Sequence, residues 1–550
     1  MLAGMATRRL LRSTAVTGGM TLLSRVSGLV RDVVFANLLG AGAGIAADAF
    51  YVAFRVPNFL RRIFGEGAFS QAFVPVLAEY RTRRSAEETR FFLDHVAGWM
   101  GSVLFGLTLL GVLAAPLVVS VLAPGFRADP VKYQLTVDML RLTFPYIFFI
   151  SLVAMAAGIL NTYGRFAAAA FTPVLLNLCL IGAALLLAPH LSSPVMALAW
   201  GVFIAGAVQL LFQLPFLSQL QLLPRPRVAI QTKDEGVSRV FRLMLPAIFG
   251  VSIAQINLLL NTLLASFLVT GSVAWLYYSD RLMEFPVGVF GIALASVILP
   301  SLADKHANRS SEEFSRLLDF GLRWAVLICI PAAVALIVLA GPLVATIYHH
   351  GRFTGEDVHM SVLALIAFAV GLPPLILIKV LAPGFYARQD TKTPMRIGVV
   401  AMLVNIGVAL CLTLPPIVAG LFPEIVLLQS LRAVFPFAHV GLALAITVSA
   451  FVNAALLYRW LRRHQAYTPL AGWTRFLVNV FAATATMGLV LWWGVGAIGE
   501  WIASGTWQRI GRLAFWVVAG IVIYGIMILA LGLRPAQLAV QRGPGMFKDE

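Results

Sequence analysis

Apolar runs of about 20 residues or more recur from one end of the chain to the other, each long enough to cross a hydrocarbon layer as a helix. About fourteen can be placed, near residues 14–39, 46–78, 92–122, 134–162, 167–188, 193–217, 238–268, 272–302, 317–348, 358–386, 394–415, 437–461, 473–497 and 512–533. The pattern predicts an all-α polytopic membrane protein of 14 transmembrane helices. Several runs exceed the crossing length, so tilt or breaks are expected near Pro57, Pro145 and Pro286, and the second run has room to split near Gly65 and Gly67. Composition agrees. With 60% hydrophobic and 12% charged residues the chain fits no soluble fold, and a mean hydropathy of +0.89 excludes a β-barrel, whose spans alternate polar and apolar. Cys179, Cys329 and Cys411 each sit alone in an apolar run, which excludes a disulfide framework.

The net charge of +17 would suggest nucleic acid in a soluble protein, but here the basic residues fall mostly in short gaps between runs, so no nucleic-acid partner is expected. Alternate gaps hold Arg81, Arg83 and Arg84; Arg165; Arg225 and Arg227; Lys305 and Arg309; Arg388 and Lys392; and Arg459, Arg462 and Arg463. The intervening gaps are nearly bare, with Arg127, Lys132, Arg352 and Arg432 in them, which places the rich set and both termini in the cytoplasm. Arg8, Arg9 and Arg12 resemble the start of a signal peptide, yet Arg25, Arg31 and Asp32 interrupt the apolar stretch that follows, so it is kept as the first span.

The longest gap, 218–236, reads as a cytoplasmic linker, and matching motifs stand on either side of it. Ala115-Pro116-Leu117-Val118 and Gly125-Phe126 match Gly341-Pro342-Leu343-Val344 and Gly351-Arg352-Phe353. Val74-Pro75 with Glu79 matches Leu299-Pro300 with Asp304, and Asn177 matches Asn405. The expected organisation is an N-terminal lobe at 1–217, the linker at 218–236, a C-terminal lobe at 237–462, and two extra helices with a tail at 463–550. Six spans per lobe imply that both repeats share one orientation. The extra helices would either form an apolar groove for a lipid tail or pack as props.

Charge inside the spans carries the functional signal. Arg25, Arg31 and Asp32 lie in the first run, Arg61 and Arg62 midway along the second, and Asp280, Arg281 and Glu284 interrupt the eighth. Facing lipid, four central arginines would cost on the order of 10 kcal/mol or more, so they must line protein or a wet cavity. Arg31 with Asp32, and Arg281 with Glu284, would also serve as local ion pairs, while Arg62, Arg141, Arg323 and Lys379 read more simply as structural. A cationic cavity selects an anion, and guanidinium forks fit phosphate oxygens. That chemistry argues against export of cationic drugs, and the spacing of the arginines is not that of a voltage sensor. No covalent chemistry, cofactor or metal is expected. The run Gly40-Ala41-Gly42-Ala43-Gly44 follows no strand, and His349 with His350 lacks further ligands.

Residues 24–32 (SRVSGLVRD), 48–75 (DAFYVAFRVPNFLRRIFGEGAFSQAFVP), 277–286 (YYSDRLMEFP) and 379–394 (KVLAPGFYARQDTKTP) resemble the MurJ (MviN) lipid II flippases of bacterial cell-wall synthesis along nearly the whole chain. The resemblance implies the MOP exporter fold, two six-helix lobes in a V with two C-terminal helices forming a lipid-tail groove. It implies a flippase, not an enzyme, in the bacterial inner membrane. The substrate would be lipid II, undecaprenyl-diphosphate-linked disaccharide pentapeptide, moved from the cytoplasmic to the periplasmic leaflet among membrane lipids. By motif the family's functional arginines fall on Arg25, Arg31, Arg61 and Arg281, its second-span Asp on Asp48, and its gate-associated Ser and Glu on Ser24 and Glu66. Asp32, Asp280 and Glu284 are expected as gating or structural charges. The alternatives are a flippase for another polyprenyl-diphosphate-linked oligosaccharide, or a non-transporting scaffold among cell-wall synthesis proteins. Part of the family has a cation site in the C-terminal lobe, but here the seventh and eleventh spans offer Asn257, Asn261 and Asn405 without a carboxylate, so the membrane potential is the expected drive. Residues 415–440 form a longer stretch than the family loop, with no function assigned.

The charge pattern predicts that Ser85→Cys and Ser310→Cys, each in a Cys-free background, resist an impermeant thiol reagent in intact cells while Gly42→Cys and Ser272→Cys are labelled. Labelling of Ser310→Cys from outside would break the even-span topology.

Overall fold

The computed structural model describes residues 2–42, 44–62, 68–227, 235–308, 310–421 and 437–533, and among them the regular structure is entirely helical. The first helices are α1 (Leu2–Leu39), α2 (Ala46–Leu60), α3 (Ala68–Arg83), α4 (Ala86–Leu113), α5 (Ala115–Leu122), α6 (Pro130–Thr143), α7 (Tyr146–Thr162), α8 (Phe166–Gly182) and α9 (Met196–Gln219). Beyond the linker come α10 (Glu235–Ser266), α11 (Ser272–Pro286), α12 (Ile292–Ala307), α13 (Ser311–Val338), α14 (Ala340–Tyr348), α15 (Gly355–Val370), α16 (Leu372–Tyr386) and α17 (Lys392–Leu421). The chain closes with α18 (Ala438–Arg463), α19 (Trp473–Val495), the short α20 (Ile498–Ala503) and α21 (Thr506–Ala530).

Eleven helical stretches among the described residues are long and apolar enough to cross a membrane. The three expected spans outside this set, 14–39, 46–78 and 238–268, are the sites of α1, of α2 with α3, and of α10. Charge lowers the apolarity of the first two. Arg25, Arg31 and Asp32 lie on α1, while α2 is only 15 residues long and carries Asp48 and Arg55. The expected break at Gly65 and Gly67 falls outside the described residues.

Local chemistry starts the helices where the sequence allows. Ser85 and Glu88 form a reciprocal capping box at α4, Thr354 and Asp357 do the same at α15, and Asp129 caps α6 ahead of Pro130. Helix bounds recur along the chain in the register of the paired sequence motifs. Ala86–Leu113 returns as Ser311–Val338, and Ala46–Leu60 as Ser272–Pro286, each pair equal in length.

Two compact units result, Met1–Ala274 with His350–Phe353, and Trp275–His349 with Thr354–Glu550. In the first, α1 packs on α8, α2 on α6, α7 on α9 and α3 on α10, so α10 joins this unit although it lies beyond the linker. A run of rings, Phe69 on Phe73, Phe73 on Phe92 and Tyr80 on Phe92, with centroids 4.9, 6.0 and 4.4 Å apart, fills the seam of α3 and α4. The start of the linker is tied to α4, where Arg225 N–H donates to Asp94 Oδ1 at 2.7 Å.

In the second unit α17 packs on α18, α13 on α16, and the pair α19 and α21 on α13. Asp319 of α13 is fully buried, and its carboxylate accepts from Tyr467 Oη (2.6 Å), Trp473 Nε1 (2.7 Å), Leu470 N–H (3.2 Å) and Arg323 Nε (2.7 Å). Burial first, then the bond to Asp319, holds the Tyr467 phenol far above its ordinary range, so it remains a donor. Midway along the pair, Tyr524 Oη donates to the Leu327 carbonyl at 2.8 Å. At the far end Arg509, buried on α21, donates to the carbonyls of Ser504, Ala345, His349 and Ile502 at 2.8, 3.0, 3.1 and 2.7 Å. Ala345 lies in the last turn of α14, where the helix dipole favours a cation. The C-terminal pair is thus fastened to α13 and α14 at three levels.

Arg509→Ala would leave four carbonyls, that of buried Ala345 among them, short of a charged donor and is expected to cost about 3 kcal/mol. Thermal unfolding in detergent should show a clear loss for Arg509→Ala and little for Arg512→Ala, whose partner Glu500 is exposed. Equal melting of the two variants would refute the fastening role.

Candidate functional site

The expected site residues fall in both units. In the first, Ser24, Arg31 and Asp32 converge on α8. Arg31 donates to Asp32 Oδ1 from Nε and Nη2, at 3.0 and 2.6 Å, and to Asn177 Oδ1 from Nη1, at 3.1 Å. Asn177 Nδ2 donates in turn to the Ser24 carbonyl at 3.1 Å and to Ser27 Oγ at 2.9 Å. Asp32 is wholly buried and Arg31 nearly so, its guanidinium also lying over the Phe35 ring at 5.5 Å. This network joins α1 to α8. Arg31 thus makes the ion pair with Asp32 that the sequence allows.

Arg25 is different. It lies about one and a half turns before Arg31 on α1, half-buried, with no hydrogen-bond or ion-pair partner among the described residues. Arg61 follows α2 on a π-type turn with Arg62, and its Nε and Nη2 both donate to the neutral Asn58 Oδ1, at 3.1 and 3.0 Å. Glu66 lies outside the described residues.

Asp48 is buried at the start of α2. Its Oδ2 accepts from Lys132 Nζ at 2.8 Å and from Gly271 N–H at 2.9 Å, and its Oδ1 accepts from Ala274 N–H at 3.0 Å. One carboxylate therefore pairs α2 with α6 and caps the N-terminus of α11. Lys132, itself buried, also sits 4.2 Å from the Phe126 ring centroid. From sequence Lys132 reads as a loop charge. The signal that it is more lies in its place one turn after the Asp129 cap, on the first turn of α6.

In the second unit, Arg281 Nη1 meets Glu284 Oε2 at 3.2 Å with both side chains partly exposed, and Asp280 is half-buried beside them. A π-helical segment, Val287–Gly291, follows Pro286, and the stem of Lys379 lies against Gly291. The structure thus brings Ser24, Arg31 and Asp32 together, and Arg281 with Glu284. Asp48 joins neither group. Laying α2 on α11 from their first residues also sets Arg55 against Arg281, with Tyr51 against Tyr277 and Phe59 against Phe285. From sequence Arg55 reads as a single charge near a span end. It donates to Thr262 Oγ1 and, at 3.5 Å, to the Leu258 carbonyl.

A family model described as "Lipid II flippase MurJ" matches residues 35–507. A probable lipid II flippase MurJ of Haemophilus influenzae is 44% identical over 532 residues, covering 94% of this chain and 99% of that one. A lipid II flippase MurJ of Burkholderia cenocepacia is 42% identical over 534 residues, covering 96% and 98%. Among solved structures, a lipid II flippase MurJ in an inward closed conformation superimposes with a TM-score of 0.75 at 24% identity, covering 94% of this chain and 99% of that one. An inward-facing MATE-family multidrug resistance transporter of the MOP superfamily does so with a TM-score of 0.65 at 15% identity, covering 82% and 98%.

Removing Lys132 would leave the Asp48 carboxylate buried without its cation, so Lys132→Ala is expected to cost about 3–5 kcal/mol of stability. Asp48→Asn combined with Lys132→Met should recover much of that loss, giving a coupling energy above about 1 kcal/mol in a double-mutant cycle read by thermal unfolding. Strictly additive losses would mean that the two side chains act independently.

Proposed function

The chain belongs to the MurJ family of lipid II flippases, and from that premise we propose that it carries lipid II from the cytoplasmic to the periplasmic leaflet by alternating access, with Arg25, Arg61 and Arg281 as ligands of the diphosphate. It is a multi-pass membrane transporter, not an enzyme, and no bond of the substrate is made or broken. The observation that carries the assignment is the contrast between Arg31 and Arg25, and the family motif sets Arg61 and Arg281 beside Arg25. Arg31 is buried and clamped to Asp32 and Asn177, whereas Arg25 has no partner among the described residues, Arg61 donates from Nε and Nη2 to a neutral amide, and Arg281 meets a half-exposed acid. A guanidinium whose fork is open, as on Arg25, can take a phosphate oxygen at little cost. One locked into a buried network braces the helix that presents its neighbours.

On this reading α1, α2 with α3, and α10 complete the count of 14 spans, both termini are cytoplasmic, and the lobes run over 1–217 and 237–462 around the linker. Ser24, Asp32, Asp48, Glu66, Asp280 and Glu284 shape or gate the path. The membrane potential is the proposed drive: a charge carried fully across 100 mV gains about 2.3 kcal/mol, and the arginines supply that charge.

Each of Arg25→Ala, Arg61→Ala and Arg281→Ala should lower lipid II translocation at least about tenfold with normal insertion, since a charge-assisted hydrogen bond contributes about 1.5–3 kcal/mol. Replacement by Lys should rescue only in part, because a point charge lacks the fork. Arg31→Ala should lose thermal stability as well as transport. Headgroup accessibility of lipid II in depleted cells expressing each variant reads the outcome. Full complementation by all three Ala variants would remove the ligand assignment.

A further inference from the structure

Two turns, one in each repeat, dock on the ends of two helices. The first follows α5, where Gly125 N–H donates to Ser266 Oγ at 3.2 Å at the end of α10. The second follows α14, where Arg352 N–H donates to the Asn37 carbonyl at 3.1 Å near the end of α1. α14 is the counterpart of α5, and the end of α10 that of the end of α1, so each turn sits on the counterpart of the helix that leads its own repeat. All of these residues belong to the first compact unit, although α14 and α15, which flank residues 350–353, belong to the second.

Both dockings depend on the absence of a side chain. A Cβ on Gly125 would stand 2.2 Å from the Ser266 carbonyl oxygen, and one on Gly351 would stand 1.7 Å from Asn37 Oδ1. Gly40, at the end of α1, is closed in from the other side, since its Cβ would lie 2.5 Å from the Arg352 carbonyl oxygen. Gly40 and Gly351 also hold left-handed backbone, with φ of +64° and +56°. The next aromatic in each turn, Phe126 and Phe353, is fully buried and anchors it. Contacts made by backbone and short polar groups can part without exposing an apolar core, as a closure made and broken in every cycle requires.

We propose that the two turns form a reciprocal clasp that must open during each transport cycle, with Gly125, Gly351 and Gly40 as the residues that let it close. The proposal rests on the alternating-access reading above, in which this end of the helices is periplasmic.

In a background lacking Cys179, Cys329 and Cys411, Asn37→Cys with Arg352→Cys should form a disulfide on oxidation. Lipid II translocation by the cross-linked protein should fall at least about tenfold and return on reduction. Translocation at the reduced rate while cross-linked, or failure of the disulfide to form, overturns the clasp. A second measurement needs no transport. Ser272→Cys, a buried reporter at the start of α11, should be labelled several times faster by an impermeant reagent when Gly351→Ala or Gly125→Ala is added. Gly164→Ala serves as the control, because Gly164 shares positive φ (+78°) but has open space where its Cβ would be. Equal effects from Gly164→Ala would reduce the result to backbone strain and also overturn the clasp. Faster labelling only in inverted vesicles would reverse the proposed orientation and leave the clasp standing. If the parent protein translocates no lipid II, the functional reading fails while the labelling still decides the clasp.

Discussion

Hydrocarbon offers no hydrogen bonds, so a carboxylate placed within it must gather its donors from the protein, and each donor comes from an element that is thereby fixed. Asp32, Asp48 and Asp319 are all buried and each meets a cation, and Asp48 and Asp319 accept from neutral donors as well. The elements they join are α1, where Arg31 reaches on to α8; α2 with α6 and the start of α11; and α13 with the segment that leads into α19. Apolar helices in lipid have little hydrophobic reason to prefer one neighbour over another. Such polar nodes supply the missing preference, because a helix that slid away would strand a charge.

The same constraint divides the arginines by what they already hold. Arg323 bonds Asp319 and the Ala471 carbonyl, Arg509 bonds four carbonyls, and Arg31 bonds Asp32 and Asn177. In each the fork is filled by acceptors that the fold presents at fixed positions. Arg281, by contrast, meets the half-exposed carboxylate of Glu284 a single helical turn away, and an exposed pair of this kind is worth little in itself. Burial of the partner thus separates the arginines that brace the fold from Arg281.

Much of this was legible in sequence. Apolar runs placed the helices because length and hydropathy are local properties, and the eleven membrane-crossing stretches match expected spans. Intramembrane charge marked the residues of interest for the same reason. What could not be read was partnership. Tyr467 and Trp473 reach Asp319 from 148 and 154 residues away, and neither has a spacing that announces it. Lys132 looked like a loop charge because sequence does not show that the first turn of α6 is buried. Ser272, placed by charge counting in an outer gap, is likewise buried, because α11 begins beneath the Asp48 cap. Glu66 and most of the 415–440 stretch lie outside the described residues.

Duplication explains where these nodes stand and why they differ. Asp48 and Lys132 link α2 to α6, and the counterparts of those helices, α11 and α15, are linked by Trp275 Nε1 donating to Asp357 Oδ1 at 2.8 Å. Lys132 and Asp357 hold the same place in their helices, each the third residue after its cap, Asp129 in one repeat and Thr354 in the other. The acid has thus changed helix, from α2 in one repeat to α15 in the other. In the first repeat a buried cation balances a carboxylate that also binds two amides of the chain entering α11. In the second, Asp357 is held by a neutral indole and by its own capping box, where Oδ2 accepts from Thr354 N–H at 2.9 Å. A backbone copied twice keeps the place where two helices need a polar link, while the side chains that make it are free to diverge so long as every buried acceptor finds a donor.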